Sequence, residues 1–257
     1  MARKQGIQDR GEVAVIVGGG PGISASCARL FAEEGMKVAI AARTKDKPVL
    51  EALERDHGVS RYACDAAAPD AVRSLFESVE RDLGRPSLVV HNIDGRVGDI
   101  FRKNITDADP ALALATIQNS AFSAFLVGQA AARSMLAGEM SDGGHRGTIL
   151  FTNASAAIKG YPKSGAFAIA SHGKAGLAGS MARELGPEGI HVVHCPIDGA
   201  IGWTREDGVR KHWMAGDNVD DNMADPARIA ETYLHLHRQH RSTWTFEAIM
   251  RPWVERW

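Results

Sequence analysis

Short β-branched apolar runs alternate with longer amphipathic stretches along this chain, and most changeovers fall at a glycine or proline. Glu12–Val17, Lys37–Ala42, Arg61–Cys64, Ser87–His91, Gly147–Thr152, Ile190–His194 and Thr245–Met250 read as strands. Helical spacing fits Gly22–Glu34, Pro48–His57, Pro69–Leu83, Pro110–Gly138, Gly165–Leu185 and Asp225–Arg238. Pro48, Pro69, Pro110 and Pro226 stand at helix starts, where a missing N–H is harmless. Gly35, Gly58, Gly84 and Gly186 follow helix ends, where a left-handed residue is wanted. Near-continuous apolar strands alternating with helices predict an α/β class, a Rossmann-type doubly wound parallel sheet of about seven strands. One domain over residues 1–257 accommodates it. The segment out of rhythm, about 199–224, follows a strand's C-terminal end and reads as a small helical substrate lid.

Composition then narrows the partners. A formal charge of −1 gives no field for nucleic acid or an anionic membrane. Pro110–Ala132 carries no formal charge but contains Thr116, Gln118, Asn119, Ser120, Ser123 and Gln129, groups costly in lipid, so a helix buried between protein surfaces is expected. Cys27, Cys64 and Cys195 lack metal spacing and read as buried thiols of a reducing cytosol. The polar opening from Met1 to Gly6 carries no apolar targeting core, which agrees with a cytoplasmic location.

The strongest chemical signal follows the first strand. Gly18-Gly19-Gly20-Pro21-Gly22-Ile23 lies between a strand and a helix at the head of the βαβ array. Gly18 allows a tight turn, and Gly22 admits a pyrophosphate to a helix N-terminus, where free N–H groups and the dipole favour anions. Strand two ends without an acidic residue to hold an adenosine ribose; Ala42 and Arg43 stand there, with Lys45 and Lys47 nearby. A guanidinium suits a 2′-phosphate, so NADP(H) is favoured over NAD(H). Asp65 after strand three either meets an adenine amino group or serves the helix starting at Pro69.

These residues resemble the short-chain dehydrogenase/reductase family over essentially the whole chain. The cradle Thr-Gly-x-x-x-Gly-x-Gly is matched at Val17, Gly18, Gly22 and, with serine in the last place, Ser24. Asn-Asn-Ala-Gly is represented by His91-Asn92-Ile93-Asp94, and the run Arg183 to Val192 is similar to the family's approach to strand six. The resemblance implies that Gly20, Ile23, Asn92 and Ile197 also line the cofactor, and that Lys174 anchors its nicotinamide ribose. The family's acid is a tyrosine four residues before that lysine, and here Ala170 stands in its place.

Substitutes remain open. Tyr161, thirteen residues before Lys174, resembles the layout of the 2,4-dienoyl-CoA reductases, whereas the enoyl-reductase spacing lands on Phe167. Ser171 and His172 precede Lys174 by three and two residues, and Ser155 follows strand five where the family carries its substrate-binding serine. The family's helix-four asparagine falls on Asn119 or Ser120; counting back from Phe125 and Gln129 favours Ser120. Lys174, Ser155, Tyr161 and Ser120 are the expected catalytic set, with no metal. Trp203, Trp213 and Met214 are expected to wall the pocket for a hydrophobic substrate. The implied function is NADPH-dependent reduction of a carbonyl or conjugated enone. The competing readings are a cofactor-binding sensor or partner subunit, and a non-redox lyase or isomerase. The resemblance implies a homodimer or homotetramer, paired across the uncharged Pro110–Ala132 helix and the Gly165–Leu185 helix.

Overall fold

Val13–Val17 (β1) is apolar and wholly buried, a pattern that demands cover on both faces of its sheet. The computed structural model describes residues 11–100, 102–141, 143–205, 208–212 and 215–256. The expectations placed on Met1–Gly6, Trp213, Met214 and Trp257 therefore lie outside the described residues. Lys37–Ala42 (β2), Ser60–Ala63 (β3), Leu88–His91 (β4), Gly147–Ala154 (β5) and Ile190–Ile197 (β6) complete a parallel six-stranded sheet, ordered β3-β2-β1-β4-β5-β6. The predicted seventh strand is present only as two parallel bridges on the β6 edge, His194 with Glu247 and Ile197 with Met250.

Ile23–Glu33 (α1), Pro48–His57 (α2) and, near the C-terminus, Pro226–His237 (α7) cover one face, packing Phe31, Leu50, Leu53 and Tyr233 on the sheet. Pro69–Asp82 (α3), Ser123–Leu136 (α5) and Gly165–Leu185 (α6) cover the other through Phe76, Met135 and Leu185. Sheet order reverses between β1 and β4, so their carboxyl ends open a crevice there. Gly35, Gly58 and Gly84 are left-handed as the helix ends require. Gly186 is not: it stays helical at φ −57°, and Gly189 at +83° makes the turn instead.

Two segments depart from expectation. The single helix over Pro110–Gly138 is α4 (Pro110–Ile117), a π turn (Gln118–Phe122) and α5. The cause is local: Ser123 Oγ reaches back to Asn119 O at 2.6 Å and Ser120 O at 3.1 Å, competing with the regular ladder. By length and composition Pro110–Leu136 could cross a membrane, yet it packs against α6 and α3 as a layer of the sheet fold. The lid is not helical. Trp203–Thr204 (β7), Arg210–His212 (β8) and Gly216–Asp217 (β9) form a small antiparallel sheet, turned by left-handed Gly208 and Gly216.

Below the strands' amino ends lies a histidine cluster. His145 and His237 rings sit 5.6 Å apart, and both share Thr148 Oγ1. His191 stacks on Trp244 at 4.8 Å, and His237 Nε2 lies 3.4 Å from Glu12. Burial, then the charges of His237 and His191, push His145 down to about 4 from the ordinary 6.5. The unfolded chain thus binds a proton that the native protein refuses within that window, so stability is full above it and falls as pH drops through it. We expect His145→Gln to lose less stability than wild type between about pH 7 and pH 5 in urea titrations; equal losses would contradict this.

Candidate active site

The turn after β1 is built by close approach. Gly18 adopts φ +110°, and a Cβ there would fall 2.2 Å from Asn92 O. The Gly18 and Gly19 N–H groups both donate to Ala41 O at 2.9 Å, tying β1 to β2. Gly20 and Gly22 carry no neighbour within 4 Å of a would-be Cβ, so the loop stays open above the first turn of α1. Helix bonding begins with Ala25 N–H to Gly20 O and Ser26 N–H to Gly22 O, which leaves the preceding N–H groups for an anion. Ser24, in the place of the family's last glycine, laces the loop: its hydroxyl donates to Gly18 O at 2.8 Å and accepts from Asn92 Nδ2 at 2.7 Å.

Two adjoining cavities open from this turn. The smaller, about 300 Å3, is lined by Gly18, Arg43, Lys47, Asp65, Asn92 and Asn119 among others. Arg43 is exposed, and among the described residues it has no ion pair. Lys47 Nζ donates to Gly19 O at 3.0 Å. Asp65 Oδ1 accepts from Ala67 N–H at 3.0 Å, closing the turn before α3 and leaving its other oxygen to the cavity. The larger cavity, about 720 Å3, shares Asn92, Ile93, Asp94 and Arg96 with the first, and reaches Ile23, Ser155, Tyr161, Lys174 and Ile197.

Lys174 is the centre of that wall. It is 1% exposed, and Nζ donates to Ile93 O at 2.8 Å and Thr152 O at 3.1 Å. Burial pulls its pKa down to about 8, with Asp94 pulling the other way. Below that value the native protein bears the full cost of burying the charge; the cost is relieved as pH rises towards the ordinary 10.5. In urea titrations from pH 8 to 10.5, wild type is expected to gain stability relative to Lys174→Met. Parallel pH profiles would contradict this placement.

The other sequence candidates divide clearly. Ser155 and Tyr161 join Lys174 in the larger cavity. Ser155 opens a single 3-10 turn, Ser155–Ala157, and Tyr161 stands in the following loop. Phe167 is on the same wall, under the Arg96 guanidinium at 4.9 Å. Ala170 is fully buried. Ser171 is buried with its Oγ unpartnered, and His172 faces outward with Nδ1 3.0 Å from Ala168 O. Ser120 lies behind Gly95, where a Cβ would meet its own Cβ at 2.5 Å, so neither cavity includes it. Asn119, one residue earlier in the π turn, is the side that lines the smaller cavity. Trp203 sits in the lid with Arg205 over its ring at 5.8 Å, away from the cavity wall.

Two buried networks escaped the sequence reading. Asn153 Nδ2 donates to Ser171 O at 2.9 Å and to His194 Nε2 at 2.8 Å; His194 then donates from Nδ1 to Glu247 at 2.9 Å. His91 Nε2 lies 2.9 Å from Ser123 Oγ and fixes the π turn; burial and then Lys174 hold it neutral, far below the ordinary histidine range. Neither pairing has a sequence spacing that would announce it, because the partners lie 41 and 32 residues apart.

With this geometry in view, the chain belongs to the short-chain dehydrogenase/reductase family. Residues 18–250 match the family model described as enoyl-(acyl carrier protein) reductase. A solved short-chain dehydrogenase from Rhodopseudomonas palustris is 28% identical with a TM-score of 0.75, covering 95% of this chain and 100% of that one. Among curated proteins, (+)-borneol dehydrogenase 1 of Salvia officinalis is 32% identical over 186 residues, 71% of this chain and 67% of that protein. Short chain aldehyde dehydrogenase 1 of Euphorbia lathyris is 28% identical over 185 residues, and the match spans 61% of its length and 71% of this chain.

Proposed function

We propose that this protein is an NADPH-dependent oxidoreductase that delivers a hydride to a carbonyl or conjugated enone of a hydrophobic small molecule. The observation that carries this reading is buried Lys174 on the wall of a cavity continuous with the glycine turn. The open loop at Gly20 and Gly22 and the α1 N-terminus suit a pyrophosphate, Arg43 and Lys47 suit a 2′-phosphate, and Asp65 suits an adenine amino group. Lys174 and Ile197 would flank the nicotinamide ribose and ring. Bound there, the cofactor supplies a hydride.

The chain's own residues do the rest. Ser155 on the cavity wall donates its hydroxyl to the substrate oxygen, and Lys174 adds positive charge nearby. Ile93, Phe167, Ile197 and Ile201 give an apolar bed, while Arg96, Asp198 and Glu255 border it. With Ala170 unable to give a proton, Tyr161 is the donor. An enone suits such a site, because an enolate tolerates delayed protonation better than a bare alkoxide does. The outer faces of α4, α5 and α6 expose Leu114, Phe122, Phe125 and Ile169, which supports pairing into a homodimer or homotetramer. Three buried free thiols support a cytoplasmic setting.

A second reading, a cofactor-binding partner subunit without turnover, draws on buried Ala170 alone. Calorimetric titration separates the cofactor claims. NADPH should bind at least about tenfold tighter than NADH, and Arg43→Glu should remove that preference while sparing NADH. Equal affinities in wild type would contradict the assignment of Arg43. NADPH binding without oxidation of cofactor by any ketone or enone would favour the partner-subunit reading.

A further inference from the structure

The larger cavity carries a further charged group besides Lys174, Asp198, and an ammonium outside its lining, Lys159, reaches that carboxylate. Lys159 lies two residues before Tyr161, between Ser155 and the loop that carries the phenol. Its Nζ stands 3.3 Å from Asp198 Oδ2 and 5.8 Å from the centroid of the Tyr161 ring. Asp198 follows β6 directly, its side chain is only 2% exposed, and it lines the cavity with Tyr161, Ser155 and Lys174. Arg251 Nε approaches the same oxygen at 3.6 Å. Oδ2 nonetheless has no directed hydrogen bond among the described residues, so its attraction to these two cations is chiefly one of charge.

The position of Asp198 is fixed from both sides. Its N–H donates to Met250 O at 2.8 Å, and the next residue, Gly199, takes φ +148° with Pro252 filling the space of a Cβ. A buried carboxylate in that place attracts an ammonium strongly. The Asp198 carboxylate beside it raises the pKa of Lys159, with burial pulling the other way. The Lys159 side chain remains 32% exposed and so keeps contact with water.

We propose that Lys159 and Asp198 are the positioning residues for Tyr161, forming a replacement tyrosine–lysine couple. This rests on the reductase reading above. In the step, the hydride that a bound reduced nicotinamide would supply reaches the carbonyl carbon, or the β-carbon of an enone, and the displaced π electrons end on the substrate oxygen. That oxygen forms a bond to the phenolic proton as the Tyr161 O–H breaks. The phenolate takes a proton from the Lys159 ammonium, and the Lys159 amine recovers one from water. The substrate would be reduced and the nicotinamide oxidised, with Asp198 holding Lys159 in place beside the Tyr161 ring.

Two measurements test the couple. In the cofactor-free protein labelled with 13Cζ-tyrosine, the Tyr161 resonance, assigned by its loss in Tyr161→Phe, should shift in Lys159→Met and in Asp198→Asn. An unmoved resonance in both would overturn the contact. NADPH oxidation at saturating cyclohex-2-enone and cyclohexanone gives the second readout. Tyr161→Phe and Lys159→Met should each lower kcat about a hundredfold, with KM and NADPH affinity within about twofold of wild type. Lys159→Arg, which keeps the charge, should recover most of the rate. Full kcat in Tyr161→Phe or in Lys159→Met would overturn the couple and leave the reductase reading intact. NADPH bound by wild type but never oxidised would remove the reductase reading and the couple with it.

Discussion

A single buried ammonium organises this active-site candidate. Lys174 ties α6 to the carboxyl end of β5 through Thr152 O, and to the segment just beyond β4 through Ile93 O. Those two carbonyls border the crevice at which the sheet order reverses. Burying the charge is unfavourable, and the pull of its pKa to about 8 is the sign of it. Such a group persists in a fold when a bound partner repays the burial, and hydroxyls of a ligand in the adjoining cavity would do so. The proposed ligand site therefore rests on Lys174 more than on any glycine in the turn.

The neighbouring parts follow from the need to bring backbone segments together around that point. Gly18 lets β1 approach Asn92 O, and Gly95 lets the chain beyond β4 approach Ser120. The second contact needs the helix between Pro110 and Leu136 to loosen, and the π turn at Gln118–Phe122 provides this. Ser123 Oγ meets the Asn119 and Ser120 carbonyls of that turn, and His91 Nε2 meets the same hydroxyl. The result carries Asn119 to the smaller cavity and leaves Ser120 packed behind Gly95.

Sheet, layers and cradle were legible in the sequence because each is written in local periodicity: buried β-branched runs, amphipathic helices, glycines after strand one. The lid was misread as helical. Its turns at Gly208 and Gly216 were visible, but charged residues between aromatics carry no period that separates a short antiparallel sheet from a helix. Ser120 was chosen over Asn119 by counting along a regular helix, and the π turn makes such counting unsafe. Lys159, Asp198 and the His194–Glu247 pair were invisible for another reason. They meet only after β5, β6 and the C-terminal segment are laid side by side, and nothing in their separate neighbourhoods marks them.

The cavity therefore brings Lys174 and Ser155 together with Tyr161 and Asp198, and Lys159 reaches Asp198 from beside it. A crystal structure of the protein with NADPH is the most direct test that they serve one reaction. The account predicts the adenosine phosphate beside Arg43, the pyrophosphate over Gly20 and Gly22, and the nicotinamide between Lys174 and Ile197 with its reactive face open towards Tyr161. A cofactor lying elsewhere, or a nicotinamide whose reactive face is closed off from the Tyr161 wall, would contradict it.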